Sequence, residues 1–107
     1  MHDDRRGQTA VIFLSERTDA DAEGYASAAS AMAALAAAQP GYRGVDSVRD
    51  GDGVGITVSY WKDDAAAVAW RDQPEHAAIR DAGRDRWYRS YTMTIATVTR
   101  GYGWTRA

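Results

Sequence analysis

Apolar and polar positions fall in blocks along this chain, and the blocks define its elements. Thr9 to Glu16 is a continuous apolar run ending in charge, the pattern of a strand buried on both faces. Asp19 or Asp21 can cap a helix that follows. In it Tyr25, Ala28 or Ala29, Met32 and Leu35 or Ala36 recur at three- and four-residue spacing, one apolar stripe reaching about Ala38. Gln39-Pro40-Gly41 stops it. Tyr42 to Val48 and Val54 to Trp61 flank Arg49-Asp50-Gly51-Asp52-Gly53, whose two Asp-Gly pairs predict a hairpin. Asp63 or Asp64 caps a short helix to about Asp72, and Pro74 opens another through Arg84. A long strand from about Tyr88 to Arg100 completes the pattern.

The order β-α-β-β-α-β predicts the ferredoxin-like α+β motif, a four-stranded antiparallel sheet with its helices on one face. In the last strand Tyr91, Met93, Ile95 and Thr97 alternate with Thr92, Thr94, Ala96 and Val98. In the third, Ile56, Val58 and Tyr60 alternate with Thr57, Ser59 and Trp61. Neither face is charged along its length, whereas a sheet with one wet face shows polar residues there. The second face is therefore expected to meet another sheet, and a homodimer supplies one through a single symmetric contact.

Composition sharpens this picture. A chain of 107 residues forms one domain, expected over 9–104 between a flexible leader at 1–8 and a tail at 105–107. It has 21 Ala but only 14 Leu, Ile, Val and Phe together, so the 11 aromatic residues must supply much of the core volume. Net charge is −2 with no basic cluster, which argues against nucleic acid as a partner. Lack of Cys rules out disulfides, thiolate metal sites and a cysteine nucleophile. His2 and His76 are the two histidines, and His2 lies in the polar leader, so a closed zinc site is not expected. Ala31 to Ala38, the longest apolar stretch, is too short to cross a membrane, and a cytoplasmic protein is the default expectation. The aromatics of Gly101-Tyr102-Gly103-Trp104 are costly to leave wet, which points to docking on a partner subunit.

Several segments together resemble the antibiotic biosynthesis monooxygenase family: Pro40-Gly41-Tyr42-Arg43-Gly44 with Ser47, Ile56 through Asp63, Trp70, Pro74-Glu75-His76, Gly83-Arg84 and Trp87-Tyr88. The resemblance covers about Thr9 to Gly103 and implies a dimeric α+β barrel in which two four-stranded sheets face each other. Members of the family include cofactor-free oxygenases that convert phenolic aromatic polyketides to quinones, haem-degrading enzymes, and signalling or stress proteins. The haem-degrading branch carries an Asn on the first strand, a Trp on the helix after the third strand and a His about ten residues beyond that Trp. Here only Trp70 matches, because Val11 and Arg80 occupy the other two positions. An apolar crevice can still admit haem, but no cofactor is expected.

The leading expectation is a cofactor-independent monooxygenase of a phenolic or quinol-like aromatic. Such chemistry needs an aromatic-walled pocket, a base for the phenol proton and a group to hold the anion. His76 is the candidate base, because its ordinary pKa lies near neutrality and a place in the first helical turn depresses it. Arg80 and Arg84 follow at four-residue steps and project from the same side of the helix, with Arg84 the candidate anion holder. Trp70 is the candidate wall, implied by the resemblance, and Tyr60, Trp61, Trp87 and Tyr91 are candidate substrate contacts. Each has a plainer alternative. His76 can simply sit at a helix start, bonded to backbone or water. Asp81, Asp85 and Arg86 interleave with the arginines as on a wet helix surface, and Trp61 and Trp87 suit the core or a dimer contact. Gly51-Asp52-Gly53-Val54-Gly55 lies between strands and opens no helix, so it is a turn rather than a phosphate loop. The competing expectation is a non-catalytic dimeric module for a small hydrophobic ligand or a stress response, whose sign would be a sealed, side-chain-filled interior.

Overall fold

The computed structural model describes residues 4–107. Its elements are β1 (Thr9–Arg17), α1 (Ala22–Ala37), β2 (Tyr42–Arg49), β3 (Val54–Trp61), α2 (Asp64–Arg71), α3 (Pro74–Arg86) and β4 (Tyr88–Thr97). The four strands form one sheet in the order β2-β3-β1-β4 with every neighbouring pair antiparallel. That is the ferredoxin-like arrangement, with the second helical segment divided by the turn before Pro74.

Local chemistry sets the helix ends. Asp63 accepts the amide of Ala66 at 2.9 Å and starts α2. The Gln73 side chain accepts the amide of His76 at 2.7 Å and, with Pro74 in the first turn, starts α3. Of the two Asp candidates for α1, Asp21 is the cap, accepting the amide of Gly24 at 3.1 Å. It adopts φ 52, a left-handed conformation that few side chains tolerate. Its other carboxylate oxygen accepts the Trp87 indole N–H at 3.3 Å, and the Arg86 guanidinium lies 3.7 Å away. These contacts, the Trp87 hydrogen bond foremost, hold the Asp21 carboxyl below the usual carboxylate range. Asp21 thereby ties the start of α1 to the end of α3.

Gly41, at φ +84, turns the chain from α1 into β2. A Cβ there would stand 2.6 Å from Cβ of Ala66, so glycine lets the turn pack against α2, where its carbonyl accepts the Lys62 amide at 2.8 Å. Around this corner lies the core. Trp61 is fully buried, stacks on Trp70 with ring centroids 5.6 Å apart, and donates its indole N–H to Ser59 at 2.9 Å. Ala67, Val11, Met32, Leu35 and Tyr42 pack around the pair.

Two segments add detail to the expected pattern. Residues 7 and 8 pair with the chain just after β4. The amide of Gly7 donates to the Val98 carbonyl and that of Val98 to the Gln8 carbonyl, while the Arg5 guanidinium lies 3.8 Å over the Tyr60 ring. Residues 1–3, including His2, lie outside the described residues. β4 ends at Thr97 rather than Arg100, its last residues handing over to that pairing with Gln8 and Gly7. Within one chain Leu14 of β1 stands 45 % exposed.

Register separates the two faces of the sheet. Val11, Phe13, Thr57, Ser59, Tyr91, Met93 and Ile95 point one way, toward the helices. Ile12, Leu14, Ile56, Val58, Thr92 and Thr94 therefore point the other way, with Val48 beside them across the β2–β3 ladder. On this outer face Leu14, Val54 and Ile56 are exposed, and Val48 is 69 % exposed. Tyr102 and Trp104 in the tail are exposed as well.

Candidate functional site

A hollow of about 500 Å³ separates the helices from the inner face of the sheet. It exists because α1 is built mostly of alanine. Tyr25, Ala28 and Met32 turn toward the sheet, but no residue of the helix is buried, since side chains that short cannot fill the gap. The floor consists of cross-strand rows. Ser47, Thr57, Phe13 and Met93 form one, and Val45, Ser59, Val11 and Ile95 the next. The interior is thus neither sealed nor filled by side chains.

α3 forms one wall. His76, Arg80 and Arg84 all line the hollow, as their four-residue spacing predicts. The His76 ring lies flat on Trp70, with centroids 4.1 Å apart and planes 12° apart, and its Nδ1 is 2.7 Å from the Trp70 carbonyl oxygen. A carbonyl can only accept, so Nδ1 carries the proton. In the neutral ring Nε2 then keeps its lone pair. Burial lowers the His76 pKa below its ordinary value; the Trp70 hydrogen bond opposes this and nearby Arg80 adds to it. The geometry supplies a neutral imidazole with a defined basic nitrogen.

The two arginines differ. Arg80 donates to the Arg71 carbonyl at 3.4 Å and has Asp81 at 3.6 Å, while its Nε is buried without a hydrogen-bond partner. Arg84 donates from Nε to the Tyr91 hydroxyl at 2.6 Å, with Asp81 at 4.0 Å. Tyr91 packs against Phe13 and Tyr88 at 5.2 and 6.0 Å, so the Arg84 end of the hollow is walled by aromatic rings. Trp87 lines that end too, with its indole N–H spent on Asp21.

Six of the eight expected residues, His76, Arg80, Arg84, Trp70, Trp87 and Tyr91, therefore border one hollow. Tyr60 and Trp61 do not. Tyr60 points to the opposite face under Arg5, and Trp61 is sealed in the core behind Trp70. The hollow also gains residues not singled out from sequence. Tyr25 reads as a member of an ordinary apolar stripe and Tyr88 as a strand residue, yet both line it. Burial pushes the Tyr88 hydroxyl pKa well up, so it stays a phenol and a hydrogen-bonding group rather than an anion. Ser47, Thr57 and Ser59 add hydroxyls to the floor; strand alternation was the signal that could have placed them there.

Among the described residues no cluster of three or more His, Asp or Glu side chains could hold a metal ion. Val11, near the place of the Asn in the haem-degrading pattern, and Arg80, at the place of its His, both line the hollow. No helix among the described residues is long and apolar enough to cross a membrane.

Similarity to other proteins agrees with this architecture. A protein of Bacillus subtilis (strain 168), YqjZ, described as uncharacterized, is 50% identical over 91 residues, 85% of this chain and 79% of its own. SnoaB of Streptomyces nogalater, described as a cofactor-independent oxygenase, superposes with a TM-score of 0.76 at 21% identity, covering 89% of this chain and 96% of that one. A dimeric ferredoxin-like protein of unknown function from Thermobifida fusca gives 0.71 at 16% identity over 88% and 93%. Both show the shared fold. The sequence model of the antibiotic biosynthesis monooxygenase family matches residues 8–82, most of the sheet together with α1, α2 and the wall that carries His76. By that match the chain belongs to the antibiotic biosynthesis monooxygenase family.

Proposed function

We propose that this protein is a cofactor-independent oxygenase that converts a phenolic or quinol-like aromatic to a quinone with dioxygen. The observation that carries this reading is the His76–Trp70 unit, a neutral base with its tautomer set by a backbone carbonyl, placed in an aromatic-walled hollow that the Arg80 and Arg84 side chains also line. His76 Nε2 takes the phenol proton, and Arg84 with Tyr91 holds the phenolate oxygen. The electron-rich phenolate then gives an electron to dioxygen, and the two radicals combine at ring carbon to form a peroxide. Loss of water from the peroxide leaves the quinone. One oxygen atom enters the product and the other leaves as water, so the four electrons lost by the phenol match the four accepted by dioxygen. No external reductant or cofactor is required, and SnoaB, which shares the fold, is a cofactor-independent oxygenase.

The same reading places the protein in a homodimer. Leu14, Val48, Val54 and Ile56 leave the outer sheet face apolar and exposed in a single chain, and a second sheet would cover them. The exposed Tyr102 and Trp104 are then candidates for docking on the second copy.

Reaction of the purified protein with a panel of phenols and hydroquinones under ¹⁸O-labelled dioxygen tests the chemistry. Quinone carrying one labelled oxygen is expected. Absence of any labelled product across the panel would overturn the assignment and favour a binding module.

A further inference from the structure

The hollow carries three hydroxyls that the proposed proton transfer does not use, and their hydrogen bonds can be counted. Ser59 Oγ accepts the Trp61 indole N–H at 2.9 Å, which leaves its own proton without a protein acceptor among the described residues. The Ser47 and Thr57 hydroxyls lie 2.7 Å apart. One donates to the other, and one proton of the pair remains unspent. Two donors are therefore free on the β2–β3 half of the floor, next to Val45 and Val11. The sheet order puts β1 between β3 and β4, so two strand spacings, about 10 Å, separate Thr57 and Ser59 from the strand where Tyr91 meets Arg84, and a third spacing adds about 5 Å for Ser47.

An aromatic ligand that fills this hollow displaces water from the hydroxyls. A ligand lacking an oxygen at that edge leaves the donors unpaired, and one that offers an acceptor satisfies them. We infer that Ser47, Thr57 and Ser59 form a subsite that reads a carbonyl oxygen, and that the substrate carries such an oxygen on the edge remote from its reacting phenol. That there is a substrate with a reacting phenol rests on the oxygenase reading; the subsite itself is a property of binding.

Two bicyclic probes isolate the effect. 6-Hydroxy-1-tetralone has a phenol on one ring and a ketone on the other, and 5,6,7,8-tetrahydro-2-naphthol lacks only the ketone. Titration of the full-length protein by calorimetry is expected to show the ketone binding about fivefold tighter or more, the worth of one good hydrogen bond. Ser47→Ala combined with Thr57→Val, and separately Ser59→Ala, are expected to shrink that ratio, in part by tightening the carbonyl-free phenol, which then leaves no donor unpaired. Ser59→Thr, which keeps the hydroxyl, is expected to keep the preference. Equal affinities in the unaltered protein, a preference untouched by the substitutions, or no binding of either probe at millimolar concentration would each overturn the inference. A hydroxyl-dependent preference without any dioxygen consumption would leave the subsite standing and remove the oxygenase reading alone.

Discussion

His76 rests on Trp70 twice over, its ring stacked on the indole at 4.1 Å and its Nδ1 bonded to that residue's own carbonyl at 2.7 Å. The helix break at Asp72-Gln73 makes this possible, because it lets the first turn of α3 fold back against the last turn of α2. A single local feature therefore fixes the orientation, tautomer and partial burial of the candidate base.

That placement fixes the sign of the pH dependence. A base must be unprotonated to act, and burial holds the His76 pKa below its ordinary 6.5. Turnover is expected to stay on a plateau through neutral pH and fall only as pH drops through this lowered value. Arg80 contributes to the lowering, so Arg80→Ala is expected to move the acid limb of kcat/KM upward in pH. A pH–rate profile of both proteins checks this, and an unmoved or downward-moving limb would contradict it.

Arg84 and Tyr91 act as a unit through their 2.6 Å hydrogen bond. Arg84→Gln removes the charge that holds the phenolate and is expected to lower kcat/KM about tenfold or more. Tyr91→Phe keeps the cation and is expected to cost less. Steady-state kinetics of the two variants measure the difference; a larger loss in Tyr91→Phe would reverse their roles.

Trp61 carries structure rather than chemistry. It is fully buried between Tyr42 and Trp70, so Trp61→Ala is expected to cost about 3–5 kcal/mol of stability in denaturant unfolding. Trp61→Phe, which retains a ring, is expected to keep the fold and most of the activity.

The outer sheet face offers a separate check. Val48 and Ile56 face each other across the β2–β3 ladder and are exposed in a single chain. Replacing both by Lys places like charges within the proposed dimer contact, and sedimentation at micromolar concentration is expected to shift from dimer to monomer. A single-copy species in the unaltered protein would remove the dimer.

Much of this architecture is written in local chemistry. The Asp63 cap, Pro74 and the Asp-Gly turn each act over a few residues, so the element order follows from them. Alternation in β3 and β4 likewise separates the two faces of the sheet. The same rule shows why Tyr60 and Trp61 could not both enter the hollow: neighbours on a strand point to opposite faces. What local pattern does not carry is the register between strands and the height of α1 above them. Without these, Tyr25 and Tyr88 look like core residues, and Ser47 and Thr57 do not show that they meet across a ladder at 2.7 Å. The His76–Trp70 stack depends on the angle between two helices, so spacing brings out the residues and not their contact. Arg5 is legible only as part of a polar leader, because the Tyr60 ring it covers lies far along the chain.

Dioxygen uptake by His76→Ala, measured beside the unaltered protein on the phenol and hydroquinone panel, tests the assignment most directly. With His76 as general base, uptake is expected to fall at least about tenfold while the variant remains folded and still binds aromatic ligands. Uptake equal to that of the unaltered protein would contradict the assignment and leave the hollow without its base.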